Sequence, residues 1–521
     1  MPAQDNDGGK GGGGMGRSAA GDHNPWLIAI VVSMATFMEV LDTSVANVSL
    51  KHIAGSMAAS QDESTWVLTS YLVSNAIVLP ISGWLSKVIG RKRFYLSCVA
   101  VFGISSLLCG LAPSLGMLVF FRVLQGLGGG GLAPSEQSIL ADSFPPAQRS
   151  QAFALYGIAV VFAPTVGPTL GGWITDSYSW RWIFLINVPV CALSLFLSSL
   201  LLVDPPAVEK EREEAVRGGV KVDYLGFGLV AVGLGCLQIV LDKGQEDDWF
   251  ASDFVLTFAI ISALSLIALV LWELAHDDPI VDIPLFKDKS FAASMLAMFV
   301  MGFILISTTQ MLPQFLQTLM GYTAMKAGLA LTAGGVATIV MMPLVGALTK
   351  KIQPKYLIAF GLTVEAVACW HLSGLTTDVD FRHVAWARVG QALGLPFLFV
   401  PISTVAYAGL PPEKNTNASA LVNTMRNLGG SVGISLAVGL IARRGQFHRS
   451  RLLERIDAFA PAAPPSQPGA LMQLNQAVTH QASLMSYLDI FWLLAIIAVV
   501  TVPLMLAVLR DVKPGESGGA A

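Results

Sequence analysis

Long apolar runs separated by short polar stretches occupy the chain from about Trp26 to Arg510. A helix crossing a hydrocarbon core of about 30 Å needs roughly 20 mostly apolar residues. Fourteen segments meet that measure, beginning near Trp26, Thr65, Phe94, Leu115, Gln151, Trp182, Asp223, Asp253, Phe291, Ala324, Tyr356, Phe381, Asn417 and Ser486. Backbone polar groups in lipid must be satisfied internally, so each such run predicts a helix, and the fold class is all-α integral membrane. The first apolar segment is too long, and too interrupted by Glu39 and Asp42, for a cleaved signal peptide, and is read as a span. Ahead of it, the Gly-rich polar stretch Met1 to Asn24 lacks the apolar residues that build a core and is expected to be disordered.

The pattern also repeats. Arg122-Val123-Leu124-Gln125-Gly126-Leu127-Gly128 in the fourth segment is matched by Arg388-Val389-Gly390-Gln391-Ala392-Leu393-Gly394 in the twelfth. Gly83-Trp84-Leu85-Ser86-Lys87, closing the second, is matched by Gly346-Ala347-Leu348-Thr349-Lys350, closing the tenth, and both follow a proline, Pro80 and Pro343. Two matches in the same order at nearly equal offset predict a duplication into two six-helix halves, a plan common among transporters. Segments seven and eight, outside the repeat, form an inserted two-helix hairpin. The expected organisation is a tail over 1–25, an N-terminal half over 26–203, a linker over 204–222, the hairpin over 223–274, a C-terminal half over 275–509 containing an outer loop over 442–485, and a tail over 510–521.

Composition agrees with a membrane protein: 54% of the 521 residues are hydrophobic and 13% charged, about half the charged fraction of an ordinary soluble domain. Mean hydropathy is +0.62. A net charge of −3 offers nothing to nucleic acid. Cys98, Cys109, Cys191, Cys236 and Cys369 all sit in apolar segments and read as packing residues. Lysine and arginine orient the chain. With the N-terminus cytoplasmic, the inner loops hold Lys87, Arg91, Lys92 and Arg93, then Arg149, then Lys210, Arg212, Arg217 and Lys221, then Lys287 and Lys289, then Lys350, Lys351 and Lys355. Both termini are then cytoplasmic. Arg443, Arg444, Arg449, Arg451 and Arg455 break the rule, falling in the long outer stretch before the last span.

Charges inside spans are expensive and usually functional. Glu39 and Asp42 lie three apart in the first span and share a helix face. At 1.5 Å per residue Asp42 is about 24 Å from the start of its span, and Arg122 about 10 Å from the opposite start of the fourth. In a core of about 30 Å the two depths nearly coincide, so acid and guanidinium can pair as a proton-coupling device; the plainer readings are a static ion pair, or Asp42 capping near a helix end. Glu136 and Glu365 are further acids within spans, Glu136 near an inner end where it could equally anchor at headgroups. Gln310, Gln314 and Gln317 form one polar stripe, and Tyr71 and Asn75 a similar pair; such side chains line a cavity or hydrogen-bond between helices. Pro164, Gly167, Pro168, Gly171 and Gly172 interrupt the fifth span twice, since proline has no amide hydrogen. Gly126 and Gly128 to Gly131 allow close approach or bending in the fourth. No glycine frame is followed by the Lys-Ser or Lys-Thr of a phosphate loop. The energy source is therefore expected to be a gradient, or nothing, with no cofactor and no metal.

On these residues the chain resembles the major facilitator superfamily, and within it the fourteen-span drug/proton antiporters of the EmrB and QacA type, over roughly Trp26 to Arg510. Leu41-Asp42-Thr43 with Asn47-Val48 is similar to that family's first-span motif, whose acid is implicated in coupling. Arg122, Gln125, Gly126 and Gly128 resemble its fourth-span proton-translocation motif, and Gly167, Pro168, Gly171 and Gly172 its fifth-span exporter signature. The loop Gly83 to Lys92 departs from the general pattern, with Lys87 and Val88 where the superfamily has Asp and Arg, while Gly90 and Arg91 are kept. The resemblance implies a proton-coupled exporter of amphipathic small molecules in the bacterial inner membrane, working by alternating access. Asp42 would carry the proton, with Arg122 as partner and Glu39 as modulator. Tyr71, Asn75, Gln125, Glu136, Gln310, Gln314 and Glu365 would line the cavity, and Gly83, Gly90, Arg91, Arg388 and Gln391 would belong to the conformational motifs. It also implies a periplasmic membrane-fusion adaptor and an outer-membrane channel, with the outer loop as docking surface. A dedicated exporter of one endogenous metabolite, siderophore or lipid precursor is the alternative on this fold. An integral-membrane enzyme is disfavoured, since no His-rich metal pattern or Ser-His-Asp set stands out.

Overall fold

Polar residues between the apolar runs start the helices. Asn24 accepts from the Trp26 amide at the head of α1 (Pro25–Ser56), and Ser60 forms a reciprocal cap with Glu63 at the head of α2 (Gln61–Ile89). Gly90 then breaks the chain with φ +94°, a conformation suited to glycine, so that α3 (Arg91–Leu111) starts at once. Ser114 caps α4 (Leu115–Gly129), which stops within the glycine run before α5 (Leu132–Ser143) completes the same span. The N-terminal half finishes with α6 (Pro146–Ser177), α7 (Trp182–Leu185) and α8 (Asn187–Leu201). A hairpin of α9 (Tyr224–Lys243) and α10 (Asp253–Ala275) follows. The C-terminal half comprises α11 (Lys289–Thr318), α12 (Ala324–Leu348), α13 (Pro354–Leu372), α14 (Phe381–Ala392), α15 (Leu395–Ala406), α16 (Asn415–Phe459) and α17 (Ala470–Val508).

This computed structural model describes residues 24–510 except 205–208, 211, 214–216, 218–222, 277–278, 409, 411–413 and 460–469. The expected tails and most of the 204–222 linker lie outside the described residues. No strand occurs among the described residues. Among the described residues, thirteen helical segments are long and apolar enough to cross a membrane, with α4–α5, α7–α8 and α14–α15 each counting as one. The fourteenth crossing is α13, whose 19 residues include Lys355, Glu365 and His371 and are therefore less apolar.

The halves meet along α6 against α12 and along α2 against α16. The hairpin sits outside them. Its α9 packs on α2, while Ile260, Leu264, Ile267 and Leu271 of α10 are exposed, as suits a lipid-facing helix. Thr69 of α2 donates to Asp242, and Ser262 donates to the Gly233 carbonyl over 2.8 Å, tying the hairpin together and to the bundle.

The interruptions of α6 are used in packing. Pro168 has no amide hydrogen to offer the carbonyl four residues back, and that carbonyl, of Pro164, instead accepts from Ser44 of α1 at 3.1 Å. Gly171 faces Val45 so closely that an added Cβ would lie 3.0 Å from its Cγ1 and 3.2 Å from its Cα. Proline and glycine together let α6 lie directly on α1.

The expected outer loop over 442–485 is corrected. α16 has 45 residues and α17 has 39, so α16 alone runs about 67 Å at 1.5 Å per residue, far beyond a core of about 30 Å. The two helices continue past the membrane as a paired extension, and of the expected loop only 460–469 lies outside the described residues. Asp489 accepts from Arg444 Nε at 2.6 Å and lies 2.7 Å from His448 Nε2, and Arg449 donates to Asn475 over 3.1 Å. Apolarity was the wrong guide there. Alanine, arginine, leucine and glutamine are good helix formers in water, and they make up most of the extension.

Candidate functional site

The first helix carries the acids. Asp42 of α1 is 2% exposed and Arg122 of α4 is fully buried, so neither charge is hydrated and each must be answered by protein groups. Arg122 Nη1 lies 2.5 Å from Asp42 Oδ2 and 2.8 Å from Gln125 Oε1, one helical turn away. Its Nε donates to the Val67 carbonyl of α2 over 3.0 Å, and the guanidinium carbon stands 4.3 Å from the centre of the Tyr71 ring. The other carboxylate oxygen of Asp42 accepts from Gln125 Nε2 at 3.1 Å and from Asn187 Nδ2 at 2.7 Å. Ser106 of α3 accepts from both amides, at 3.2 and 2.9 Å. Five helices thus converge on one ion pair, and Arg122 Nη2 has no hydrogen-bond partner among the described residues.

One turn earlier on α1, Glu39 forms a second group. It accepts from the Tyr71 hydroxyl at 2.9 Å and from Asn75 Nδ2 at 3.2 Å. A turn before that, Thr36 donates to Glu136 of α5, which is fully buried. Glu136 is therefore not an anchor at headgroups. It is a third interior acid, spaced along the α1 side of the N-terminal half. Arg426 of α16 brings its field to Glu39 from the opposite half; it is 5% exposed, and among the described residues its Nη1 has no hydrogen-bond partner.

The halves are joined unequally. At the face where α1 begins, Arg91 pairs with Asp142 and donates to Thr416 at 3.0 Å, Asn415 donates to Asp142 at 3.0 Å, and Ser138 meets Thr416 at 2.9 Å. Deeper in, Gln137 accepts from Tyr407 at 3.1 Å and from Asn423 at 2.9 Å. Gly83 packs on Asn417 in the same seam. Toward the other face, Asn47 of α1 donates to Gln310 of α11 at 2.9 Å, and Thr169 meets Thr332 at 3.4 Å. The molecule is latched at the face where α1 begins. Arg91 serves that latch although Lys87 and Val88 replace the usual loop residues.

Among the cavity residues expected from sequence, Tyr71, Asn75, Gln125 and Gln310 lie at or beside these clusters. Gln314 is exposed, farther along α11. Glu365 is corrected: it is fully buried on α13, a helix packed against α14, α15 and α17 rather than the opposite half, and it cannot line a cavity between the halves. Gly126 abuts the Tyr71 carbonyl and Gly128 the α3 backbone, which brings α4 close enough for Arg122 to reach α1 and α2. Arg388 repeats the local bond of Arg122, at 2.5 Å from Gln391 Oε1.

Sequence reading missed Ser106, Asn187 and Arg426. The last was accessible by the rule that singled out Arg122, a cation deep inside an apolar run. Ser106 and Asn187 carry no such signal, since single small polar residues are common in membrane helices.

Removing Arg122 alone leaves a buried, uncompensated carboxylate, at a cost of about 3–5 kcal/mol. In detergent, Arg122→Ala is expected to lower the melting temperature sharply. Arg122→Ala combined with Asp42→Asn should recover much of the loss, because no charge is then stranded. If the double variant melts at the sum of the two single losses, the pair is not coupled.

Residues 32–434 match the family model described as Major Facilitator Superfamily. The chain is 36% identical over 506 residues to the multidrug export protein EmrB of Escherichia coli (strain K12), covering 95% of this chain and 97% of that one. It is 37% identical over 503 residues to the fatty acid resistance protein FarB of Neisseria gonorrhoeae, covering 94% and 97%. The solved structure of the proton:xylose symporter XylE superposes with a TM-score of 0.61 at 15% identity, covering 95% of this chain and 97% of that chain, a likeness of fold. Two helical halves, a family match across most of the chain and relatives alike over nearly their whole length lead to one conclusion: this chain belongs to the major facilitator superfamily.

Proposed function

We propose that the protein is a proton-driven exporter of amphipathic small molecules across the bacterial inner membrane, alternating access between its two halves. The observation that carries this reading is the Asp42 cluster. A carboxylate held only by side chains of neighbouring helices changes those bonds when it takes a proton. While ionised, Asp42 accepts from Arg122, Gln125 and Asn187 and draws α4 and α8 onto α1. Protonated, it loses its charge attraction to Arg122. The guanidinium then keeps Val67, Gln125 and the Tyr71 ring, and α1 is freed from its strongest lateral contact.

Lysine and arginine placement favours the face where α1 begins as cytoplasmic. The latch built on Arg91, Asp142, Asn415 and Thr416 would then close the inner gate, and the few bonds toward the opposite face describe a molecule poised to open outward. Protons arriving from that side would reach Glu39 and Asp42, and cargo would leave toward it. The names of the relatives, a multidrug exporter and a fatty acid resistance protein, favour amphipathic cargo.

The paired extension of α16 and α17 supports an adaptor and outer-membrane channel as partners. It projects from the face opposite the latch and exposes Phe447 beside Arg449 and Arg451, a surface with no lipid to cover it.

Energy and docking are separately testable. Ethidium transport by purified protein in proteoliposomes should follow an imposed proton gradient and stop on addition of a protonophore; uphill transport that persists with the gradient collapsed would remove the mechanism. Shortening the extension between Arg449 and Asn475 should leave that transport intact and lower resistance in whole cells. Equal loss in both settings would place the extension in the transport cycle and end the docking idea.

A further inference from the structure

The repeat that relates Arg122 to Arg388 also relates Gln125 to Gln391, and the same spacing carries Asp42 onto Thr308 of α11. The bonds follow the repeat. Gln125 Nε2 donates to Asp42, and Gln391 Nε2 donates to Thr308 Oγ1 at 2.8 Å. Arg122 Nη1 binds Gln125 and Asp42, and Arg388 binds Gln391 through Nη1 and Thr309 through Nη2 at 3.3 Å. The C-terminal half has therefore kept the arginine, the glutamine and the geometry, but a hydroxyl stands where the carboxylate was.

A buried guanidinium still needs a counter-charge. Arg388 is 1% exposed, and its Nε has no hydrogen-bond partner among the described residues. The acid that answers it comes from the other side. Glu365 of α13 is fully buried, and among the described residues neither of its carboxylate oxygens has a donor in hydrogen-bonding geometry, although the Gln391 amide stands beside it. The polar groups that face it are Arg388 and Gln391, with Cys369 one turn along its own helix. From the turn between α14 and α15 the Gly394 backbone approaches, where an added Cβ would lie 3.0 Å from Glu365 Oε1. The segment α15 has no titratable side chain, and on α17 Asp489 is engaged by Arg444 and His448. A structural counter-ion would be expected to accept hydrogen bonds on both oxygens. Glu365 has a charge partner, Arg388, and a neighbouring amide, Gln391, whose Nε2 already donates to Thr308.

We propose that Glu365 is a second proton-binding site, in which the C-terminal half exchanges a proton on a glutamate beside Arg388 as the N-terminal half does on Asp42 beside Arg122. Taking up a proton converts the Glu365 carboxylate to a neutral acid and leaves the Arg388 charge held by Gln391, Thr309 and their helices. Releasing it restores the ion pair. The step needs no other reactant. The inference rests on the proton-driven reading above, and it has a consequence for that reading. With two exchanging acids, two protons move inward for each monovalent cation exported, and transport carries net charge; with one, the exchange is neutral.

Infrared difference spectroscopy of the purified full chain, titrated with acid and base, reads the site without any cargo. The expected result is a carboxylic C=O stretch that disappears as pH rises and is missing from Glu365→Gln. Should that variant fail to fold, Glu365→Asp is expected to move the band rather than abolish it. A Glu365 band absent at every pH, or present at every pH, would overturn the proposal.

The role in transport is read in proteoliposomes with ethidium as cargo. An imposed membrane potential at fixed proton gradient should accelerate wild-type transport, and in Glu365→Gln the acceleration should vanish. Thr308→Asp combined with Glu365→Gln, which restores a carboxylate at the mirror position of Asp42, should bring it back. Undiminished voltage dependence in Glu365→Gln would sink the transport role. Absence of any proton-driven ethidium movement in wild type would instead defeat the proton-driven reading, while the infrared titration would stand by itself.

Discussion

A guanidinium placed inside a bilayer protein dictates much of what surrounds it. Arg122 has no water to solvate it, and its burial is tolerable only because a carboxylate, a backbone carbonyl, an amide and an aromatic face are held against it. Each of those groups comes with a requirement of its own. Gly126 and Gly128 let α4 approach α2 and α3 closely, Asn187 and Gln125 satisfy the far side of Asp42 while Ser106 accepts from both amides, and the Val67 carbonyl contributes beyond its helical role. The local architecture of the N-terminal half can be read as the set of contacts that makes this one cation affordable.

The same demands make α1 a hub. Along a single helix Thr36 reaches Glu136 on α5, Glu39 reaches α2, Asp42 reaches α4 and α8, Ser44 reaches the free carbonyl of α6, and Asn47 reaches α11 in the other half. A change of charge at Asp42 is therefore felt by a rod that also touches the interface between the halves. The proline-freed carbonyl of α6 matters here, because α6 in turn lies along α12. Proton binding and gate movement would share one mechanical element, and no separate relay is needed to connect them.

The span pattern, the duplication and the Asp42–Arg122 pair were legible in the sequence because a long apolar run, a repeated motif and a charge in hydrocarbon are each costly to produce without function. Other features left no such trace. Asn187 and Ser106 are ordinary residues for a membrane helix, and only packing reveals that Asn187 turns to Asp42 and Ser106 to the amide that reaches it. Glu365 was visible as an intramembrane acid, but periodicity does not say which neighbour a peripheral helix meets, so its place beside Arg388 rather than in a cavity emerged from the fold. The α16–α17 extension was hidden for the opposite reason: its residues are polar, and polarity in a membrane protein reads as loop even where helix propensity is high. Arg426 was simply overlooked, although the rule that marked Arg122 applies to it equally.

The central claim is that Asp42 exchanges a proton in step with cargo. The most direct test is to count protons when cargo binds to the purified protein in weakly buffered detergent solution, with a pH-sensitive dye as reporter and ethidium as cargo. The account predicts that wild-type protein releases protons on binding ethidium, and that Asp42→Asn binds ethidium with a smaller release. Equal proton release by the two proteins would contradict it.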